Sequence, residues 1–125
     1  MRALLLLRIL MRLSITVLLV LGILFWTGHA LALVPLHMAF GLIFVLGLWA
    51  LAGLGLGRGM PVGVAIAAFA VGLAVLGLGM TQVQLLPGDY HWLVRVVHLA
   101  LGMGAMGFAE QIAKRLAAAP GGPAT

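Results

Sequence analysis

Apolar residues fall along this chain in four long stretches, and the charged residues gather at the ends of those stretches. A helix needs about 20 predominantly apolar residues to cross the hydrocarbon core of a bilayer. Stretches of that length recur at 9–27, 34–56, 61–86 and 90–117, so the pattern predicts four membrane-spanning helices. The punctuation between them agrees. Gly28 suits a left-handed helix stop, and Pro35 suits a first helical turn. Residues 55–61 (GLGRGMP) read as a loop, and Pro87-Gly88-Asp89 as a turn in which Asp89 caps the fourth helix. APGGPAT (119–125) reads as a disordered tail.

The start of the chain has two readings. A basic beginning, an apolar middle and Ala30-Leu31-Ala32 resemble a cleavable signal peptide. The apolar run from Leu13 to Trp26 continues with little break to Leu36, so a retained first span is the expectation.

Composition sharpens this picture. Of 125 residues, 65% are hydrophobic and only two are acidic against seven basic. So few charges cannot cover a soluble domain, and the length leaves no room for a second one. The expected fold is an all-α membrane protein, a single domain over 1–125. Short loops make consecutive spans antiparallel neighbours in a four-transmembrane-helix bundle. Glycine pairs at 53/57, 55/59 and 59/63 match the spacing that lets membrane helices approach closely.

Charge then orients the bundle. Arg2, Arg8, Arg12, Arg58, Lys114 and Arg115 fall on one side of a four-span layout. The positive-inside rule makes that side cytoplasmic, with both termini inside, as in a multi-pass protein of a bacterial inner membrane. Trp26, Tyr90 and Trp92 fit an aromatic belt on the opposite side. The net charge of +5 forms no basic face with interleaved aromatics, so nucleic acid is not an expected partner. The lipid bilayer is. With no cysteine, iron–sulfur clusters, thiolate metal sites and covalently attached haem are excluded.

Histidine carries the chemistry. His37-Met-Ala-Phe-Gly41 and His98-Leu-Ala-Leu-Gly102 repeat the same His-x-Ala-x-Gly element about half a chain apart. Each lies early in the second helix of a hairpin, so the bundle reads as two pseudo-repeated hairpins related along the membrane normal. The two imidazoles are then expected at one depth, facing each other. A glycine four residues on lies on the same helix face and leaves room for a flat ligand. Two opposed imidazoles with small neighbours suit the axial sites of one haem b per chain, His37 and His98 being the iron ligands. Arg95, one turn from His98, suits a haem propionate or Asp89. His91 lies on the same stripe of the fourth span and completes the candidate cofactor-binding set with Gly41 and Gly102.

These elements resemble the membrane b-type cytochromes, whose haems sit between histidines of a four-helix core. The resemblance implies electron transfer near the periplasmic face, as a small cytochrome or as a subunit of a larger respiratory or photosynthetic redox complex, with a quinone or that complex as partner. It departs from the b561 type, which has two haem layers, because no histidine lies in the inner half. Leu85-Leu86-Pro87-Gly88, His91-Trp92 and His98-Leu99 also resemble a signature of small bacterial four-span membrane proteins, and that resemblance implies no activity.

Other readings stay open on sequence grounds. The buried histidines could pack or handle protons without a cofactor, in a structural accessory subunit. His29 could replace His37 as a ligand. All four histidines lie in the outer half, so a copper or zinc site is a further alternative, though without closely spaced ligand pairs. Glu110 precedes Lys114 by one turn and pairs with it in the simplest account. A small transporter fits poorly with an acid-free first span. Thr81, Gln82 and Gln84 are read as helix-end polar residues or a quinone contact, and Met38, Met103 and Met106 as packing. A homo-oligomer is left open.

Overall fold

The computed structural model describes residues 2–118, so the expectation for the 119–125 tail lies outside the described residues. The chain forms four long helices: α1 (Arg2–Trp26), α2 (Val34–Leu56), α3 (Val62–Thr81) and α4 (His91–Ala118). A short 3₁₀ turn, Leu31–Leu33, leads into α2. All four are long and apolar enough to cross a membrane.

Two boundaries differ from the sequence expectation. α1 begins at Arg2, not near residue 9. Nothing between Arg2 and Ile9 breaks a helix, and the leucine-rich run favours one. α3 stops at Thr81, five residues short of 86. There Gln84 and Leu85 donate to carbonyls only three residues back, at Thr81 and Gln82 (2.9 and 3.2 Å), so the helix tightens and ends. Pro87 then disfavours helix at Leu86, which sits at φ +44°.

α1 packs mainly on α2, and α2 on α3; α4 closes the ring, and α2 and α4 also meet diagonally, whereas α1 and α3 do not meet among the described residues. The bundle is packed unevenly along its length. Its buried core gathers toward the arginine-bearing end, around Met11, Phe44, Leu48, Leu51, Ile112 and Leu116. Toward the opposite, histidine-bearing end the buried apolar residues thin out to Leu21, Val75 and Val94. Many large apolar side chains face outward, including Leu6, Ile66 and Leu73. That is the surface expected of a bundle whose solvent is lipid.

The glycines that bring helices together are not the pairs at 53/57, 55/59 and 59/63. Gly53, Gly59 and Gly63 have no neighbour where a Cβ would point, and Gly55 lies under Met60 of its own turn. Gly47 and Gly72 make the close approaches. A Cβ on Gly47 would lie 2.8 Å from Met11 Cγ, which seats α1 on α2. Gly72 accepts the Trp49 indole, itself stacked on Phe69 with ring centres 4.5 Å apart.

Glu110 does not pair with Lys114. It bridges to α1, accepting from Arg8 Nη2 at 2.9 Å and from Arg12 Nε at 2.7 Å. Two guanidiniums across the interface outcompete one flexible ammonium on the same helix, because each carboxylate oxygen then accepts a charge-assisted bond from its own arginine. This clamp ties α1 to α4 near the basic end. Glu110→Gln is expected to lower stability by about 1 kcal/mol through the Arg8 contact, since the site is partly exposed. Thermal unfolding in detergent reads the loss, and an unchanged midpoint would count against the clamp.

Candidate histidine site

α2 and α4 each bring one histidine to the sparsely packed half of the bundle. The His37 and His98 rings face each other with centres 6.4 Å apart and planes inclined at 45°. They therefore share a level to within little more than one helical turn. Both residues are half-buried. The Nδ1 atom of each is buried and has no hydrogen-bond partner. A buried polar atom without a partner is costly in an apolar surrounding and is rare in native structures.

Each ring rests on a glycine of the helix preceding it. Gly22 of α1 lies under His37, where a Cβ would sit 3.7 Å from Cε1. Gly79 of α3 lies under His98, and a Cβ there would approach Cε1 to 3.1 Å. Phe25 of α1 meets His37 edge-on, ring centres 5.4 Å apart. So α1 and α3, which do not touch each other, flank the pair on opposite sides.

Gly22, Gly79 and Phe25 escaped the sequence reading. A signal was present: each hairpin carries a glycine near the end of its first helix, shortly before its histidine. Periodicity on a single helix does not reveal such a partner, because it lies across an interface. The glycines four residues after each histidine have different surroundings. Gly41 lies against Leu18 of α1 at 3.9 Å, and Gly102 has no atom within 4 Å of where its Cβ would be. Neither is brought against an imidazole.

The remaining candidates stand apart from the pair. His91 lies two turns from His98, about 10 Å along the axis. Its Nδ1–H donates to the Leu85 carbonyl at 3.1 Å, strapping the 82–90 turn to the start of α4. His29 is exposed and bonds through Nδ1 to Thr27 Oγ1 at 3.0 Å. Both are satisfied locally. Arg95 is half-buried, one turn from His98, and no ion pair joins it to Asp89 or to any other acid among the described residues. No group of three or more histidine or acidic side chains converges to hold a metal ion among the described residues.

The donor set can be tested against a haem. Two metal–nitrogen bonds of about 2 Å, each extended by about 1.1 Å to its ring centre, place opposed imidazole centres about 6 Å apart. The observed separation fits. So do the small residues beside the rings and the thin packing around them. Compared with protein families, curated proteins and solved structures, the chain matches none.

Proposed function

We propose that this protein holds one haem b between His37 and His98 and serves in one-electron transfer near the outer face of a bacterial inner membrane. The observation that carries the reading is the pair of neighbouring imidazoles from α2 and α4, with ring centres 6.4 Å apart.

In this reading the bundle consists of two pseudo-repeated hairpins. The matched placement of Gly22 under His37 and Gly79 under His98 supports that symmetry. The cationic end is cytoplasmic, with both termini there, by the distribution of arginine and lysine. The histidine level then lies toward the periplasm, within reach of a quinol or of a larger redox complex.

When bound, the haem supplies a one-electron iron couple whose potential is set by its axial ligands and surroundings. The chain does the rest. His37 and His98 hold the iron through ring nitrogens. Gly22 and Gly79 let each imidazole lie directly on a neighbouring helix, and Phe25 fixes the His37 ring by edge contact. Arg95, free of any acid, offers its fork to a propionate carboxylate.

The test is a reduced-minus-oxidised spectrum of protein purified from haem-replete cells. Sharp α and Soret bands at one haem per chain are expected. A folded, colourless preparation overturns the reading. Gly79→Ala refines it. The added methyl would crowd His98 Cε1, whereas the same change at Gly22 meets only ordinary contact. Gly79→Ala is expected to shift the midpoint potential and the low-spin resonance signature while haem content stays near one. Gly22→Ala should leave both in place.

A further inference from the structure

At the basic end, away from the histidines, a cavity of about 150 Å³ opens between the α2–α3 turn and the end of α4. Its lining includes Arg58, Arg115, Gly55, Met60 and Leu116. That is room for several waters or one tetrahedral oxyanion. Met60 folds back over Gly55, its N–H donating to the Gly55 carbonyl at 2.9 Å, and this shapes one wall.

No acidic side chain compensates the charge in this cavity among the described residues. The chain has two acids. Glu110 is engaged by Arg8 and Arg12, and Asp89 lies in the turn at the opposite end of the bundle. Arg58 is held in place by donating through Nη1 to the Leu116 carbonyl at 3.2 Å. A guanidinium has five N–H donors, so most of its fork stays free. Arg115 makes no ion pair among the described residues. α3 starts beside the cavity at Pro61 with no side chain capping it, and its unpaired N–H groups add positive potential.

From the two arginines that line it and the apolar wall of Met60 and Leu116, we infer that this cavity binds a phosphate group, and that the phosphate belongs to an anionic phospholipid headgroup. The arginines meet the phosphate oxygens, as bidentate guanidinium recognition favours. The apolar wall accommodates the start of the glycerol and acyl portion. A soluble phosphate shares the first contact and gains nothing from the second. The inference stands independently of any haem.

The test uses the full chain in neutral detergent and native mass spectrometry, with phosphatidylglycerol and phosphatidylcholine offered at equal concentration. One phosphatidylglycerol is expected to be retained per chain, in preference to phosphatidylcholine. Arg115→Ala, which removes no intramolecular bond, should weaken retention roughly fivefold, as for one cation near a lipid surface. Lys114→Ala, a neighbouring cation outside the cavity lining, should leave retention unchanged. Equal retention of both lipids, or equal losses in the two variants, overturns the site. Thermal stabilisation by inorganic phosphate without phosphatidylglycerol retention assigns the cavity to a soluble phosphate and overturns the lipid assignment.

Discussion

Alanine at position 98 is expected to give a folded chain that carries no haem. The loss should be large. Even outer-shell partners of a metal ligand contribute about 10–100-fold in affinity, and His98 would be one of two axial ligands. Haem content should therefore fall by at least tenfold relative to the parent, to the limit of a pyridine haemochrome assay. His37→Ala should do the same, because neither ring has a substitute within reach. The nearest other histidine on α4, His91, lies two turns away and is bonded to the Leu85 carbonyl. Stability of the haem-free form separates this account from a structural one. The His98 Nδ1 is buried without a partner, so removing it takes away a desolvation cost of about 1–3 kcal/mol. The haem-free variant should unfold no earlier than the haem-free parent. An unchanged spectrum combined with a lower unfolding midpoint would make His98 a packing residue.

The second large effect is expected at Gly72. This glycine is buried where α3 crosses α2, and the Trp49 indole lies where its side chain would begin. Val45 Cγ1 would stand 2.8 Å from a Cβ at that position. Both neighbours are themselves confined: Val45 is fully buried, and Trp49 is stacked on Phe69. Gly72→Leu must therefore push the helices apart or break the stack. Lipid-facing helices associate through close packing and not through release from water, so separated backbones have little to replace the lost contact. Overpacking of this kind costs about 3 kcal/mol. Denaturation in mixed detergent should show that drop, whereas Gly77→Leu, which enters open space on the same helix, should leave the midpoint nearly unchanged. Equal effects at the two positions would argue against a close α2–α3 crossing at Gly72.

Much of the fold is legible in the sequence because the governing quantity is additive along the chain. Mean hydropathy over a window predicts a span wherever apolar residues run long enough, and all four helices follow from it. α2 is read to the residue, since Pro35 opens it and a glycine-rich turn closes it. The end of α3 is less legible. Leu85 and Leu86 continue the apolar run, yet the backbone has already left the helix at Thr81, where Pro87 downstream and the strap from His91 hold the turn. The start of α1 is missed for the opposite reason. Arg8 and Arg12 look like the edge of a span, but they face Glu110 across the bundle and the helix runs on past them.

The candidate site divides in the same way. The repeated His-x-x-x-Gly element picks out the two imidazoles that the structure brings together. It does not pick out what lies beside them. Glycines four residues after each histidine share a helix with it, and helix period alone put them forward. Gly22 and Gly79 lie against the rings from neighbouring helices, because the rotation of each helix about its axis decides which residue meets which ring. The same rotation carries Glu110 to two arginines of α1 and away from Lys114.

The sequence by itself determined the number of helices, their apolar character, their short connections and the two histidines worth watching. Those depend on hydropathy and on local spacing, which act within one segment. Only the tertiary structure decided that the rings oppose each other without other partners, which glycines cradle them, and that Arg58 and Arg115 line a common cavity. Those depend on how helices are rotated and seated on one another. That seating is fixed by interlocking side chains far apart in the chain, such as Met11 with Gly47 and Trp49 with Gly72.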